Sequence, residues 1–170
     1  MNARNKGLYV VMGVSGSGKS LIGAAFARAL GVDFVEGDEY HSAENVRRMA
    51  SGIALTDDDR AEWLRSLGTR LREAKEAGTG LVMTCSALKR SYRDVLRAEA
   101  GALRFVFLKG ERALIANRIA GRRGHFMPPS LLESQFATLE EPSTDEDVWV
   151  CDIRQSPPDI VASLVARATA

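Results

Sequence analysis

The stretch that most constrains the fold of this chain is the octapeptide at residues 13–20, Gly-Val-Ser-Gly-Ser-Gly-Lys-Ser. It fits the phosphate-loop pattern G-x-x-x-x-G-K-[ST] at every required position. Its three glycines allow main-chain N–H groups to approach a phosphate closely. Lys19 supplies a mobile positive charge, and Ser20 offers a hydroxyl oxygen to Mg²⁺. The predicted nucleotide-binding residues are Gly13, Val14, Ser15, Gly16, Ser17, Gly18, Lys19, Ser20 and Leu21, with Ser20 as the predicted metal ligand.

The sequence on either side of this loop supports the motif. Residues 8–12 form an apolar run without polar alternation, which is typical of a strand buried on both faces in a parallel sheet. After the loop, apolar residues recur at helical spacing until Gly31, a stop signal. Strand, loop and helix therefore follow in the order that phosphate binding needs. The alternative, a glycine-rich turn that binds nothing, does not explain these flanks.

The bulk composition excludes several classes of protein. The chain has 170 residues, 45% apolar and 26% charged, as expected of one soluble globular domain. Its net charge of +1 gives no global field that favours nucleic acid or an anionic membrane, and no apolar run reaches the ~18 residues of a membrane span. The N-terminal apolar stretch leads directly into the phosphate loop, so we expect a cytoplasmic protein rather than a cleaved signal peptide. Cys85 and Cys151 are predicted to be reduced core residues.

Apolar segments and helical patterns alternate along the rest of the chain. Further strands are predicted at residues 32–36, 80–84, 103–108 and 148–151, with helices between them and a last helix over 158–168. This alternation predicts an α/β fold with a parallel sheet covered by helices on both faces. Asp38 directly follows the second strand, where open α/β sheets bind ligands.

Three successive carboxylates at residues 57–59 allow two interpretations. Asp59 as N-cap, with Glu62 three residues later, predicts a capping box for a helix that runs to about Ala77. The functional alternative gives Asp57 or Asp58 contacts near the magnesium ion or the lid. Arg60 would lie in the first turn, where the helix dipole disfavours a cation, which suggests an anionic ligand.

A second unusual stretch combines positive charge with helix-breaking residues. Three arginines and a histidine, Arg118, Arg122, Arg123 and His125, precede Pro128 and Pro129. Beside a phosphate loop, this pattern predicts a lid over about residues 118–136 that closes over the nucleotide, although a solvated basic turn is the simpler alternative. By fold analogy, Asp152, Gln155 and Pro157 follow the fifth strand where such folds hold adenine.

Taken together, these segments resemble the gluconate kinase family of small phosphate-loop kinases. The phosphate loop is shared with many nucleotide hydrolases, but Cys-Ser-Ala-Leu-Lys at 85–89 and His-Phe-Met-Pro at 125–128 are much more specific. The resemblance extends from about Leu8 to the last helix. It departs at Ala54 and Glu62, where proline would be expected. The other matching segments are residues 36–41, 49–52, 57–60, 92–94, 134–136 and 139–142.

The resemblance implies a single domain over residues 1–170 with sheet order 2-3-1-4-5, ATP and Mg²⁺ as cosubstrates, a mobile lid and commonly a homodimer. It also implies phosphorylation of gluconate on its 6-hydroxyl. Asp38 would orient or deprotonate that hydroxyl, and Arg60 would pair with the carboxylate of the substrate. The other expected substrate contacts are His41, Ser86, Lys89 and His125, and the expected charge-stabilising residues are Lys19, Arg118 and Arg122.

Other functions remain to be weighed. A shikimate kinase is less suitable because the third strand ends in Cys85-Ser86-Ala87 instead of a glycine cluster, and an adenylylsulfate kinase is a second rival within enzymes. A nucleotide switch that hydrolyses slowly is a rival from another class. A carboxylate after the second strand and an arginine-rich lid favour phosphotransfer to a small molecule. The charge balance and the lack of an aromatic-basic stripe disfavour a nucleic-acid-dependent ATPase.

Overall fold

Five parallel strands form one sheet in the order β2-β3-β1-β4-β5 in the computed structural model, which describes residues 5–121 and 129–170. The predicted fold class and strand order are therefore confirmed. The strands are β1 Leu8–Met12, β2 Asp33–Glu36, β3 Leu81–Thr84, β4 Arg104–Lys109 and β5 Trp149–Asp152. The helices are α1 Lys19–Leu30, α2 Ala43–Ala50, α3 Asp57–Ala77, α4 Arg90–Ala100, α5 Arg112–Ala120, α6 Pro129–Thr138 and α7 Pro157–Ala168.

The central strand, β1, carries the phosphate loop at its carboxyl end. All five of its residues are buried. It pairs with β3 on one side and β4 on the other, so that Val10 lies beside both Met83 and Phe105. A strand with neighbours on both edges and helices on both faces must be apolar throughout, which explains the uninterrupted hydrophobic run.

Each face of the sheet has its own hydrophobic cluster. One cluster includes Trp63, Leu67 and Leu71 of α3, which pack with Leu96 of α4 against the sheet. On the opposite face, α1 and α7 contribute a second set that includes Phe26, Ile160 and Leu164. Both cysteines are free and buried, as the sequence predicted.

The beginning of α3 differs from the prediction. The N-cap is Thr56 and not Asp59, and Asp59 is the third helical residue. Thr56 Oγ1 accepts from Asp59 N at 3.2 Å, and Asp59 Oδ2 accepts from Thr56 N at 2.9 Å. The capping box therefore forms three residues earlier than expected. All three aspartates then lie in the first turn, where the positive end of the helix dipole stabilises them.

A close contact fixes the carboxyl ends of β2 and β3. Gly37 N donates to Thr84 Oγ1 at 3.1 Å, and Trp63 Nε1 donates to the Gly37 carbonyl at 2.8 Å. A Cβ added at Gly37 would lie 1.9 Å from the Thr84 carbonyl oxygen. This oxygen belongs to the backbone and cannot move away by a change of rotamer, as a side-chain atom could. Only glycine permits this approach, which brings the segment containing Asp38 against the end of β3.

Gly37→Ala is therefore expected to lower the free energy of unfolding by at least about 2 kcal/mol, because the new methyl group would force the two strand ends apart. Urea unfolding followed by tryptophan fluorescence measures the change. Gly121→Ala is the matched control, since its Cβ would meet no atom of the described residues closer than 3.6 Å. Equal stability of the two variants would contradict this account of the contact.

Candidate active site

The phosphate loop forms a glycine-lined cradle at the amino end of α1. Gly16 and Gly18 have φ angles of 82° and 100°, in the left-handed region that favours glycine. Within the described residues no side chain caps α1, whose first turn contains no acidic residue, so its N–H groups face outward with a favourable dipole for an anion. Lys19 Nζ donates to the carbonyls of Gly13 and Val14, both at 3.0 Å.

The loop suits a phosphate and a magnesium ion. Ser17 Oγ is buried and has no hydrogen-bond partner within residues 5–121 and 129–170, so its hydroxyl remains available inside the cradle. Ser20 is exposed in the first turn of α1. Magnesium commonly takes one or two protein oxygens together with substrate phosphates, and a single hydroxyl at this position fits that pattern.

Gln135 of α6 contacts the loop and is not among the functional residues predicted from the sequence. Its Oε1 accepts from Ser15 N at 2.7 Å, and its Nε2 donates to Ser15 Oγ at 3.0 Å. The two residues are 120 positions apart. Gln135 lies in one of the segments that carried the family resemblance, and that was the only sequence signal that could have indicated it.

A cleft of about 370 Å³ opens beside the phosphate loop. Its lining includes Gly18, Arg118, Gln155 and Pro157, so three residues predicted for the lid or for adenine lie next to the loop. Arg118 Nη2 donates to the Ile153 carbonyl at 2.6 Å. Asp152 is the last residue of β5, and its carboxylate binds Arg154 at 2.6 Å.

On the other side of the loop, Asp38 and His41 follow the end of β2. Asp38 is exposed in a short 3-10 helix, Gly37–Tyr40. The His41 ring stacks on Trp63 with centroids 4.0 Å apart. Burial lowers the pKa of His41 below its ordinary value of 6.5; the negative charge of Asp38 opposes this shift and the positive charge of Arg60 adds to it. His41 is therefore neutral at pH 7 and can donate one hydrogen bond and accept another.

Arg60 and Lys89 belong to a polar network around Tyr92. Arg60 Nη1 donates to the Leu55 carbonyl at 2.6 Å and to the Tyr92 hydroxyl at 3.1 Å. The Tyr92 hydroxyl donates to Asp57, and Lys89 Nζ donates to the same carboxylate at 3.1 Å. These two donors lower the pKa of Asp57, with Tyr92 as the larger cause. Asp57, whose role the sequence left open, thus holds Tyr92 and Lys89 in place.

Cys85 directly follows β3 and lies beside the strand that carries the phosphate loop, because its N–H donates to the Val11 carbonyl at 3.1 Å. The thiol is buried, and burial raises its pKa to about 12, so it remains protonated. The charges of Asp38, Lys19 and Arg60 also act on this thiol. The carboxylate, the phosphate-loop lysine and the arginine predicted from sequence therefore lie near the carboxyl end of β3.

A buried ion pair supports the loop that follows β3. Arg93 is fully buried, and its Nε lies 2.7 Å from Glu146 Oε1, whose side chain is 1% exposed. Arg93 also donates to the carbonyls of Ala87, at 2.8 Å, and Glu140, at 3.1 Å. Ala87 has a φ of 46°, a strained conformation for alanine that these contacts stabilise.

Ser86, which was predicted to contact the substrate, lies in the loop that follows β3. Ser86 lies before α4, which begins at Arg90 with Lys89 as its N-cap residue. The Ser86 carbonyl accepts from Gly13 N at 3.3 Å, so the loop adjoins the phosphate loop. A role for the Ser86 hydroxyl in binding substrate remains a prediction.

Two predicted site residues, Arg122 and His125, lie outside the described residues. Among residues 5–121 and 129–170, no group of three or more His, Cys, Asp or Glu side chains could hold a metal ion by itself. The helices within those ranges are also too short or too polar to cross a membrane.

Comparison with known proteins identifies relatives along most of the chain. Residues 8–142 match the family described as AAA domain. A gluconokinase from Gluconobacter oxydans is 47% identical over 92% of this chain and 88% of its own length. The thermoresistant gluconokinase of Escherichia coli is 43% identical over 93% and 91%.

Solved structures similar to this chain also include kinases. A gluconokinase from Sinorhizobium meliloti superposes with a TM-score of 0.88 at 49% identity, covering 98% of this chain and 94% of that one. An APS kinase of Mycobacterium tuberculosis has a TM-score of 0.71 at 19% identity, over 99% of this chain and all of that one. This second likeness is one of fold alone.

The buried ion pair generates a prediction on pH. Hydrogen bonds from Arg93 are the main cause that lowers the pKa of Glu146 from 4.5 to about 2. Because the pKa is lower in the folded state, the pair contributes stability above pH 4.5 that is lost as the pH falls towards about 2. Glu146→Gln should lose about 3–5 kcal/mol at pH 7 and should show a shallower decline than the wild type below pH 4.5, in urea unfolding series.

Glu141→Gln is the matched control, because Glu141 is 53% exposed and pairs only with Lys109 among the described residues. It should follow the wild-type pH profile. If Glu146→Gln also followed that profile, the ion pair would not contribute to acid sensitivity.

Proposed function

The chain belongs to the gluconokinase family, and from this premise we propose that it transfers the γ-phosphoryl group of ATP to the 6-hydroxyl of D-gluconate, forming 6-phospho-D-gluconate and ADP. The observation that carries this proposal is the meeting of three segments at the carboxyl end of β3: the phosphate loop with Lys19, the turn with Asp38 and the start of α3 with Arg60. Gly13 N donates to the Ser86 carbonyl, Gly37 N donates to Thr84 Oγ1, and Trp63 Nε1 of α3 donates to the Gly37 carbonyl. This reaction requires a cation that binds phosphate, a carboxylate that accepts from the attacking hydroxyl, and a cation that binds the carboxylate of the substrate.

The phosphate loop would bind the triphosphate. The N–H groups at the start of α1 and the Lys19 ammonium group would contact the β- and γ-phosphates. Ser20 would hold Mg²⁺, which neutralises charge on the phosphates when it is bound. The cleft beside the loop would hold the nucleoside against Gln155 and Pro157. Asp152 remains a weaker candidate there, since its carboxylate binds Arg154.

Asp38 would act on the acceptor. An exposed carboxylate two residues after the end of β2 can accept a hydrogen bond from the 6-hydroxyl and take its proton as the oxygen attacks phosphorus. His41 stacks on Trp63, and burial keeps its pKa below the ordinary value, so the neutral ring would bind a hydroxyl of the polyol chain.

Arg60 would bind the carboxylate of gluconate. One of its terminal nitrogens is already fixed by Leu55 and Tyr92, which restricts the guanidinium to one orientation. A guanidinium fixed in this way can pair with a carboxylate at a small cost in side-chain entropy. Ser86 and Lys89 are the neighbouring candidates for polyol contacts.

We further propose a single domain over residues 1–170 with a lid at about 118–136. Arg118 lies at the nucleotide cleft, where it binds the Ile153 carbonyl, and Pro129 begins the helix on the far side of the segment. Arg118 and Arg122 would neutralise the transferred phosphoryl group when the lid closes, with His125 near the substrate. A homodimer and a cytoplasmic location remain predictions.

The proposed function is tested by ADP release with ATP, Mg²⁺ and one acceptor at a time. Gluconate should stimulate turnover strongly, whereas shikimate, adenylylsulfate and the absence of any acceptor should give only slow hydrolysis. Stimulation by another acceptor, or by none while ATP still binds, would contradict the proposal. Lys19→Ala should lose gluconate-dependent turnover by ~10²-fold or more, and the surface control Lys75→Ala should not.

Arg60→Ala should raise the KM for gluconate by at least about tenfold, because a charge-assisted pair with the carboxylate is lost. The KM for ATP should change much less. Arg65→Ala, an exposed arginine on the same helix, is the matched control and should leave both constants near the wild-type values. A larger effect on ATP than on gluconate would show that Arg60 does not bind the sugar acid.

A further inference from the structure

The contact between Gln135 and Ser15 joins a helix of the lid region to the third residue of the phosphate loop. Both polar atoms of the Gln135 amide bind the same residue: Oε1 accepts from Ser15 N at 2.7 Å, and Nε2 donates to Ser15 Oγ at 3.0 Å. We propose that Gln135 is a positioning residue that holds the phosphate loop in its nucleotide-binding conformation. The proposal rests on the proposed function only in taking ATP as the ligand of the loop.

Ser15 is the point where the loop needs external support. Gly16 and Gly18, which follow it, have left-handed φ angles and lack side chains that could hold the backbone in place. Lys19 binds the carbonyls of Gly13 and Val14 and thereby fixes the start of the loop from inside. Within the described residues, the Ser15 N–H has Gln135 as its hydrogen-bond partner, so removal of the amide would leave this half-buried donor without that partner.

Helix α6 has independent attachments that make it a firm support. Leu131 and Leu132 are buried, and the guanidinium carbon of Arg112 lies 5.3 Å from the centre of the Phe136 ring. Beyond the helix, Glu140 N donates to the Leu88 carbonyl at 2.7 Å. The helix should therefore keep its position when the Gln135 amide is removed. Only the conformation of the phosphate loop should become less well fixed.

The same attachments place α6 between the two halves of the site. The Gln135 amide of this helix contacts the phosphate loop. Glu140, in the segment directly after the helix, contacts the loop that carries Ser86 and Lys89. The Gln135 contact concerns only the nucleotide half, because the acceptor half is held by Glu140 and Arg93. A change confined to Gln135 should therefore affect ATP and not gluconate.

The test compares Gln135→Met, which keeps the length of the side chain and loses both polar atoms, with Glu133→Met on the same helix. Glu133 is exposed and serves as the matched control. The Kd for ATP without acceptor, measured by calorimetry, should rise about tenfold in Gln135→Met, as expected for two lost hydrogen bonds. The KM for gluconate and the melting temperature should stay near the wild-type values, and Glu133→Met should bind ATP normally.

A double-mutant cycle with Ser15→Ala, which removes one of the two partner atoms, tests whether Gln135 acts through Ser15. The effect of Gln135→Met on ATP binding should be smaller in the Ser15→Ala background. Fully additive effects would overturn the proposal, as would an unchanged Kd, or a loss of ATP affinity matched by losses in gluconate KM and melting temperature.

If Gln135→Met does not fold, Gln135→Glu replaces it in the cycle. Its carboxylate cannot donate to Ser15 Oγ as the Gln135 amide does. A smaller effect of this variant on ATP binding in the Ser15→Ala background than in the wild type would support the proposal, and fully additive effects would overturn it. Calorimetry with ATP alone keeps this test separate from the proposed function: a wild type that binds ATP without phosphorylating gluconate would contradict only the latter.

Discussion

The buried ion pair between Arg93 and Glu146 is the interaction on which the acceptor side of the molecule depends. A charge removed from water is strongly destabilising unless it is paired and hydrogen-bonded, and both side chains here are almost wholly buried. Arg93 also binds the carbonyls of Ala87 and Glu140, so one guanidinium connects α4, the loop after β3 and the segment after α6. The strained Ala87 and its neighbour Ser86 keep their positions because this pair is in place.

The nucleotide side is held differently, by backbone geometry and local polar contacts. Its glycines supply the turn, Lys19 binds the start of the loop, and Gln135 binds Ser15 from outside. The two sides meet at the carboxyl ends of β1, β2 and β3, where Gly13 N donates to the Ser86 carbonyl. This division explains why a change on one side is expected to alter the binding of one substrate more than that of the other.

Features set by local sequence were predictable, and features set by distant contacts were not. The phosphate loop, the five strands and the end of α3 at Ala77 follow from motif and periodicity, whereas the strand order came with the family resemblance. The prediction of Asp59 as the N-cap of α3 was wrong. Thr56 and Asp59 are both good N-cap residues, and only their mutual hydrogen bonds decide between them. The contact between Ser15 and Gln135, 120 residues apart, leaves no spacing pattern that one sequence can reveal.

The pairing of β1 has a consequence for how the protein is made. This strand leaves the ribosome before both of its partners, since β3 and β4 begin only at Leu81 and Arg104. At bacterial-to-eukaryotic elongation rates, the wait for β3 lasts roughly 3 to 14 seconds. During that time a wholly apolar strand has neither edge paired, so the nascent chain is exposed to aggregation before the nucleotide site can exist. Chaperones that bind short apolar segments would find their target at residues 8–12, in a strand that is buried along its whole length once the sheet has formed.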